Sequence, residues 1–463
     1  MGKPQIIEKF DREKILGIMR ENVRPGMTIA IPTFFSVGVA LDLVHLLSET
    51  GTNGLKVISN DTGLPGLSVG RLIANGQIEK LLISYIATNP EAMKMFQAGK
   101  INIDLYPQGT LIEMLDCGGK GLGGFYTPTG VGTAVEEGRE TKMISGRKQI
   151  FFEALRARVG LIKAHKADRY GNVVFHKTAR NFNEAAAQAS DFTIIEVDKI
   201  VDRLDPNRIH LQCAYTDVIV KSSGAWKKLL TVKRKELSGL GPARQMVVKQ
   251  AARLIKRLFP DGAIVNLGIG TPLEIASLLK REDNIMLMSE NGLLGMGPPP
   301  DMIDNEIVNA GRGPASVSPG GSFFDSVRAF GMIRGGRVDA TVLGGYEVSA
   351  TGDLANYTIP GKSFPGIGGG MDLVTGAKTV IIATEHTAGG KPKILEKCTL
   401  PLTGQGVVKW IVTDLALIEI TPEGLVLHEV APIADDLAAS IEKIRSLTGA
   451  DLRLSPSVRF FSN

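Results

Sequence analysis

Residues 259–279 read "FPDGAIVNLGIGTPLEIASLL", and residues 284–297 continue with "NIMLMSENGLLGMG". Together they spell a turn, an apolar run, a glycine loop, a helix-length stretch, a second apolar run and then Ser-Glu-Asn-Gly. Short apolar runs separated by a helix-length segment mark buried, largely parallel strands. The same plan occurs earlier, in "RPGMTIAIPTFFSVGVALDLV" (24–44) and "LKVISNDTGLPG" (55–66). A plan met twice implies two related α/β domains packed together, with ligand sites between them at strand C-termini. At the matching position the first copy has Asn60 and the second has Glu290. Only one half supplies an acid.

Working outward, the runs "KLLISY", "FTIIEV", "TVLGGY" and "KTVIIAT" extend the α/β pattern along the chain. The clearest boundary is "VKSSGAWKKLLTVKRKELSGLGP", residues 220–242, which reads as a solvated basic linker carrying Lys227, Lys228, Lys233, Arg234 and Lys235. It divides the chain into residues 1–221, a linker at 222–242, and residues 243–463. Beyond it, Val247, Ala251, Leu254, Ile255 and Leu258 share one face of an expected helix.

The 463 residues are 43% hydrophobic and 22% charged, an ordinary globular balance that can bury sizeable cores without staples. The net charge of +5 argues for a mildly basic surface tolerant of anions. With no aromatic RNA-binding motif and no dense arginine arm, nucleic acid is not an expected partner. Three scattered cysteines, Cys117, Cys213 and Cys398, fit a reduced cytoplasmic interior better than a disulfide framework. No apolar run approaches the length of a membrane span, so no membrane partner is expected.

Glu290 ends an apolar run and precedes Asn291-Gly292, a strand–turn position that lifts a side chain into a cleft. A lone glutamate is as readily a helix cap or a surface ion pair, and both readings stand at this point. The glycine loops at 118–133, 266–272 and 365–372 can bring N–H groups close to a phosphate or an oxyanion, or can simply turn the chain. The six histidines lack metal-ligand spacing, so no metal is expected. No P-loop, dinucleotide fingerprint or G-x-S-x-G elbow is present.

"SENGLLGMGP" resembles the active-site segment of family I CoA-transferases. "YPQGTLIEML", "GGFYTPTGVGTAVEEG", "KADRYGNVVF", "TARNFN", "NLGIGTP", "RGGRVDATVLGGYEVSATGDLANYTIPGK", "GIGGGMDLV" and "EKCTLPLTG" resemble the same family, in order, over nearly the whole chain. The likeness is greatest to the fused succinyl-CoA:3-ketoacid and acetate/acetoacetate type. It implies two related three-layer open-sheet domains of the NagB/RpiA/CoA-transferase-like fold, an α-type domain before the linker and a β-type domain after it. The active site would lie at their interface.

The resemblance further implies an enzyme that moves coenzyme A between two carboxylic acids by ping-pong catalysis, of the 3-oxoacid or acetate/butyrate type. Glu290 would be the nucleophile, and CoA would serve as substrate and covalent intermediate, with no tightly bound cofactor. Asn60, Gln108, Gly344, Gly366 and Gly369 map onto oxyanion and substrate positions. Gly268, Gly270 and Arg312 map onto CoA-binding ones. Acyl-CoA and small carboxylic acids are the implied partners, and a homodimer or homotetramer the implied assembly.

Two departures accompany the likeness. "AIPTFFSVGVA" (30–40) replaces the glycine-rich G-G-F loop usual after the first strand, and Met288 stands where Gln or His is favoured. They bear on acid preference, and leave a thioester hydrolase or a weakly active CoA-binding protein as alternative readings.

Overall fold

A computed structural model describes residues 4–35, 37–226, 239–361 and 365–461. The five basic side chains that mark the linker lie outside the described residues. On either side of that stretch the chain builds two sheets. The first runs in the order Gln5–Ile7, Val218–Lys221, Ser190–Val201, Ala157–Asp168, Thr28–Ala30, Leu55–Ile58, Ile78–Ile83, Asn102–Leu105, every neighbouring pair along that order being parallel, with Val173–Val174 added antiparallel to Ala157–Asp168. The second has a parallel centre in the order Ile285–Ser289, Ala263–Leu267, Ala340–Leu343, Thr379–Ala383, Trp410–Val412. All eight apolar runs read as strands lie in these two sheets, on their parallel pairs.

Alternation along the strands assigns the layers. Ile29, Val57, Leu161 and Ile194 enter one core with the helices Arg12–Asn22 and Leu41–Glu49. Their neighbours Ala30, Ile58, Ile162 and Ile195 point the other way, into a second core. In the second sheet Val265, Val342 and Ile381 face the helix Pro242–Leu258, and Leu343, Ile382 and Ile411 face that same second core. The period of two along buried strands thus yields helix–sheet–helix layering in each half. The middle core is shared: Leu111 and Leu115 of one half pack with Phe330, Ile333 and Leu373 of the other.

Close approach in that layer requires a glycine. A Cβ on Gly109 would lie 2.5 Å from the Phe330 ring and 2.6 Å from the Asp372 carboxyl. Asp372, fully buried, accepts the Gly109 N–H at 2.8 Å and the Thr129 hydroxyl at 3.2 Å, both from the first half. Burial pushes its pKa up to about 6, against the opposing pull of Arg334.

Two segments differ from expectation. "TPLEIASL" forms a 3-10 helix, Thr271–Leu278, where its counterpart in the first half forms the α-helix Leu41–Glu49. Only Pro272 and Ile275 are buried there, so no deep apolar stripe holds an α-helix together, and Pro272 removes a donor at its start. The glycine loop at 118–133 does not reach the cavity between the halves. Gly118 there serves packing, since a Cβ on it would lie 1.9 Å from the Leu155 carbonyl oxygen.

Candidate active site

The C-terminal ends of the central strands of both sheets converge on one cavity of about 460 Å³. Glu290 follows immediately on strand Ile285–Ser289 and is buried, with 5% exposure. Its two following residues put its carboxylate into the cavity. Gly292, at φ +99°, turns the chain back and its N–H donates to the Ser289 carbonyl at 3.0 Å. Asn291 turns the other way: its Oδ1 accepts the Ser289 hydroxyl at 2.6 Å, and its Nδ2 donates to the Val308 carbonyl at 2.8 Å. Residues on both sides are therefore held, and only the glutamate faces the open volume.

Asn266, one strand over, donates from Nδ2 to Glu290 Oε2 at 3.2 Å, and its own Oδ1 accepts the Thr341 hydroxyl at 3.2 Å. Burial raises the Glu290 pKa, while its own backbone N–H and the Asn266 amide work in the opposite direction by bonding the charged form. Among the described residues no cation pairs with it. A buried carboxylate bonded by the Asn266 amide, with no counter-ion among the described residues, can act as a nucleophile when ionised.

The second half contributes the cavity's glycine edges. Gly369 lies against the acid, its Cβ position 3.6 Å from Glu290 Cγ. Gly366, at φ +106°, pairs with Tyr85 of the first half; a Cβ there would lie 2.7 Å from the Ser84 carbonyl oxygen. The Gly368 N–H donates to the Ser84 carbonyl at 3.0 Å, and the Gln108 N–H donates to the Gly368 carbonyl at 2.9 Å. This glycine strap stitches the two halves together beside Glu290. Gly268, Gly270 and Gly344 also line the cavity, and Gly344 has nothing within 4 Å of its Cβ position.

From the first half come Asn60, Asp61, Tyr85 and Gln108. Asn60 Oδ1 accepts the Ser84 hydroxyl at 2.7 Å, which orients the amide. Gln108 keeps Nε2 buried with no hydrogen-bond partner, an unused donor at the cavity wall. Arg312 is the one expected residue set apart. It lies in an adjoining cavity of about 490 Å³ that shares only Ile269 and Gly270 with the main one.

Sequence reasoning passed over Asn266, Asp61 and Lys393. Asn266 sits inside the quoted "IVNLGIG" as the only polar residue of its strand, a signal that was available. Asp61 is buried and its pKa raised, although it accepts the N–H groups of Phe35 at 2.7 Å and Gly63 at 2.8 Å. It thereby holds the divergent loop, in which Phe35 adopts φ +60° and Thr33 and Phe34 are buried. His386 proves structural, buried between the Thr413 and Thr448 hydroxyls with its pKa pushed down to about 4. Among the described residues no His, Cys, Asp and Glu group could hold a metal ion, and no helix is long and apolar enough to cross a membrane.

The chain matches the family model described as Coenzyme A transferase over residues 13–222 and 248–434. It is 37% identical over 470 residues to mouse succinyl-CoA:3-ketoacid coenzyme A transferase 2A, mitochondrial, covering 95% of this chain and 89% of that protein. It is 44% identical over 201 residues to the acetate CoA-transferase subunit alpha of Escherichia coli K12, covering 43% of this chain and 91% of the subunit. A crystal structure of an acyl-CoA transferase from Escherichia coli O157:H7, in a thioester complex with CoA, superposes with a TM-score of 0.77. At 18% identity it covers 99% of this chain and 95% of its own, and it shows the shared fold. A two-part α/β chain with a buried strand-end glutamate between its halves, matched in both parts, belongs to the coenzyme A transferase family.

Proposed function

We propose that the chain transfers CoA reversibly between an acyl-CoA and a carboxylic acid of the 3-ketoacid, succinate or acetate type, with Glu290 as nucleophile. The observation that carries this is the buried carboxylate of Glu290 at the floor of the interdomain cavity, with no cation paired to it among the described residues.

Each step balances without a proton donor or a metal. A Glu290 oxygen attacks the thioester carbonyl, and the CoA thiolate leaves to give a mixed anhydride. The thiolate attacks the Glu290 carbonyl, the first acid departs as its carboxylate, and glutamyl-CoA remains. A second carboxylate attacks that thioester, and the same two steps run in reverse.

Each tetrahedral intermediate carries an oxyanion. The Gly369 N–H and the Asn60 amide are proposed to donate to it, with the free Gln108 amide on the substrate acid. Gly344 and Gly366 shape the same wall. Gly268 and Gly270 are proposed to let the CoA arm pass closely, with Arg312 steering its anionic groups from the adjoining cavity. Asn266 bonds the carboxylate before attack and so keeps one oxygen aimed. The division at 1–221, 222–242 and 243–463 is proposed on the sheet ending at Lys221 and the helix starting at Pro242. Ser222, Ser223 and Trp226 still bond Asp42 of the first half. A homodimer or homotetramer in a reducing compartment, the cytoplasm in the sequence reading, completes the proposal.

Hydrolysis through the same glutamyl-CoA is the competing outcome, and buried Thr33 and Phe34 close the loop that would have to admit water. With acetoacetate or acetate as acceptor, new acyl-CoA is expected to form in step with loss of donor and with parallel-line kinetics. Free thiol accumulating without new thioester would overturn the transferase reading.

A further inference from the structure

One side chain behind the cavity wall grips both halves of the molecule. Asp372 lies three residues beyond Gly369, in the helix Gly370–Gly376, and is fully buried. Its Oδ2 accepts the Gly109 N–H at 2.8 Å, and its Oδ1 accepts the Thr129 hydroxyl at 3.2 Å. Gly109 follows Gln108 at the start of the helix Gln108–Gly119, where Pro107 offers no side-chain cap. N–H groups of that first turn are met from the second half instead. Asp372 takes that of Gly109, and the Gly368 carbonyl takes that of Gln108 at 2.9 Å.

Further contacts fix the same spot. Arg334 donates from Nη1 to the Gly109 carbonyl at 3.1 Å and pairs with Glu113, one turn along the helix. A Cβ on Gly109 would meet Phe330 at 2.5 Å and Asp372 at 2.6 Å, so the backbone lies hard against both. Arg334 Nη1 also stands 4.0 Å from Asp372 Oδ1 and offsets part of the cost of burying that charge.

We propose that Asp372 is a positioning residue for CoA transfer: without touching substrate, its carboxylate sets the Gly369 N–H and the Gln108 amide at a fixed separation across the cavity. The proposal rests on the transferase reading of Glu290 and on the roles given to those two groups. Gly369 leans on the acid, with its Cβ position 3.6 Å from Glu290 Cγ, so a slip of the helix that follows it moves the oxyanion donor against the nucleophile. Gln108 starts the helix that Asp372 caps, so the same slip moves its free Nε2. One lost bond thus displaces both sides of the cavity. The CoA arm is proposed to pass Gly268 and Gly270, which follow the strand Ala263–Leu267, a different element from those Asp372 bonds. The signature is a loss in kcat with KM for acyl-CoA nearly unchanged.

The test counts active sites and then measures the rate per site. Acyl-CoA without an acceptor loads Glu290 as a thioester, and the loaded fraction, read by mass spectrometry, gives the number of folded sites. Asp372→Ala is expected to lower kcat per loaded site about 100-fold, the scale of a 1 Å misplacement. Asp372→Asn has the same shape and keeps one oxygen for the Gly109 N–H, so it is expected to stay within about tenfold of the parent. Thr129→Val keeps its shape, releases only Oδ1, and is expected to cost about fivefold per site, which carries the test if Asp372→Ala does not fold. A purely structural role predicts fewer loaded sites, each turning over at the parental rate. That result in every variant that folds, or a rise in KM for acyl-CoA as large as the loss, would overturn the proposal while leaving transfer intact. No thioester on Glu290 in the parent would overturn the transferase reading and the proposal with it.

Discussion

Glu290→Gln is expected to lower CoA transfer by roughly 10⁴-fold or more, because removal of a covalent nucleophile leaves only binding and the oxyanion donors. The same variant is expected to be more stable than the parent at neutral pH. Burial raises the Glu290 pKa, so ionising it costs the folded state more than the unfolded one. The sign follows from proton binding. As pH rises from the ordinary glutamate value of about 4.3 toward the raised one, the unfolded chain loses its proton first and the fold is weakened. Above the raised value the penalty is complete. Glutamine keeps the bond to Asn266 and never ionises. Melting temperatures of variant and parent should therefore separate in the variant's favour at pH 7 to 8 and converge near pH 4. A variant less stable than its parent at neutral pH would show that the carboxylate is bound more favourably than the geometry indicates. Activity of the parent should fall on acidification through a pKa above the ordinary glutamate value.

The second large effect concerns a residue that touches no substrate. Gly292→Ala places a Cβ 1.9 Å from the Phe324 carbonyl oxygen, at a φ of +99°. The clash is with backbone that is itself bonded, since the Phe324 N–H donates to the Gly292 carbonyl at 3.0 Å. Neither strand can shift without moving Glu290. A loss of at least about 3 kcal/mol is expected, read as a lower denaturant midpoint, with transfer lost alongside. Gly99→Ala is the comparison. It also lies at positive φ, +65°, but its Cβ position meets nothing within 4 Å, so only the backbone term of about 1 kcal/mol applies. Equal losses at the two sites would mean that the turn after Glu290 is not sterically fixed.

Period and punctuation made the parallel strands legible, because buried strands between helices are uninterrupted runs such as "TVLGGY" and "KTVIIAT". The internal repeat made the acid legible, because Asn60 and Glu290 occupy the same place in two copies of one plan. What the chain hides is set by contacts between distant residues. Nothing local says that Gly109 must admit both Phe330 and Asp372, or that Asn266 will face Glu290 across a strand. The antiparallel margin of the second sheet formed by Leu293–Gly297 with Ser316–Phe323 is glycine-broken and carries weak periodicity. Of three similar glycine loops, two line the cavity and one packs against Leu155. The difference lies in where their flanking strands end.

The central claim is that Glu290 becomes covalently linked to CoA. Incubation with acyl-CoA alone, without an acceptor acid, should load this side chain as a thioester. Borohydride or hydroxylamine treatment followed by peptide mass spectrometry should then find one modified residue, Glu290, and none in Glu290→Ala. An unmodified Glu290 in protein that still binds CoA, or a modification at any other residue, would contradict the account.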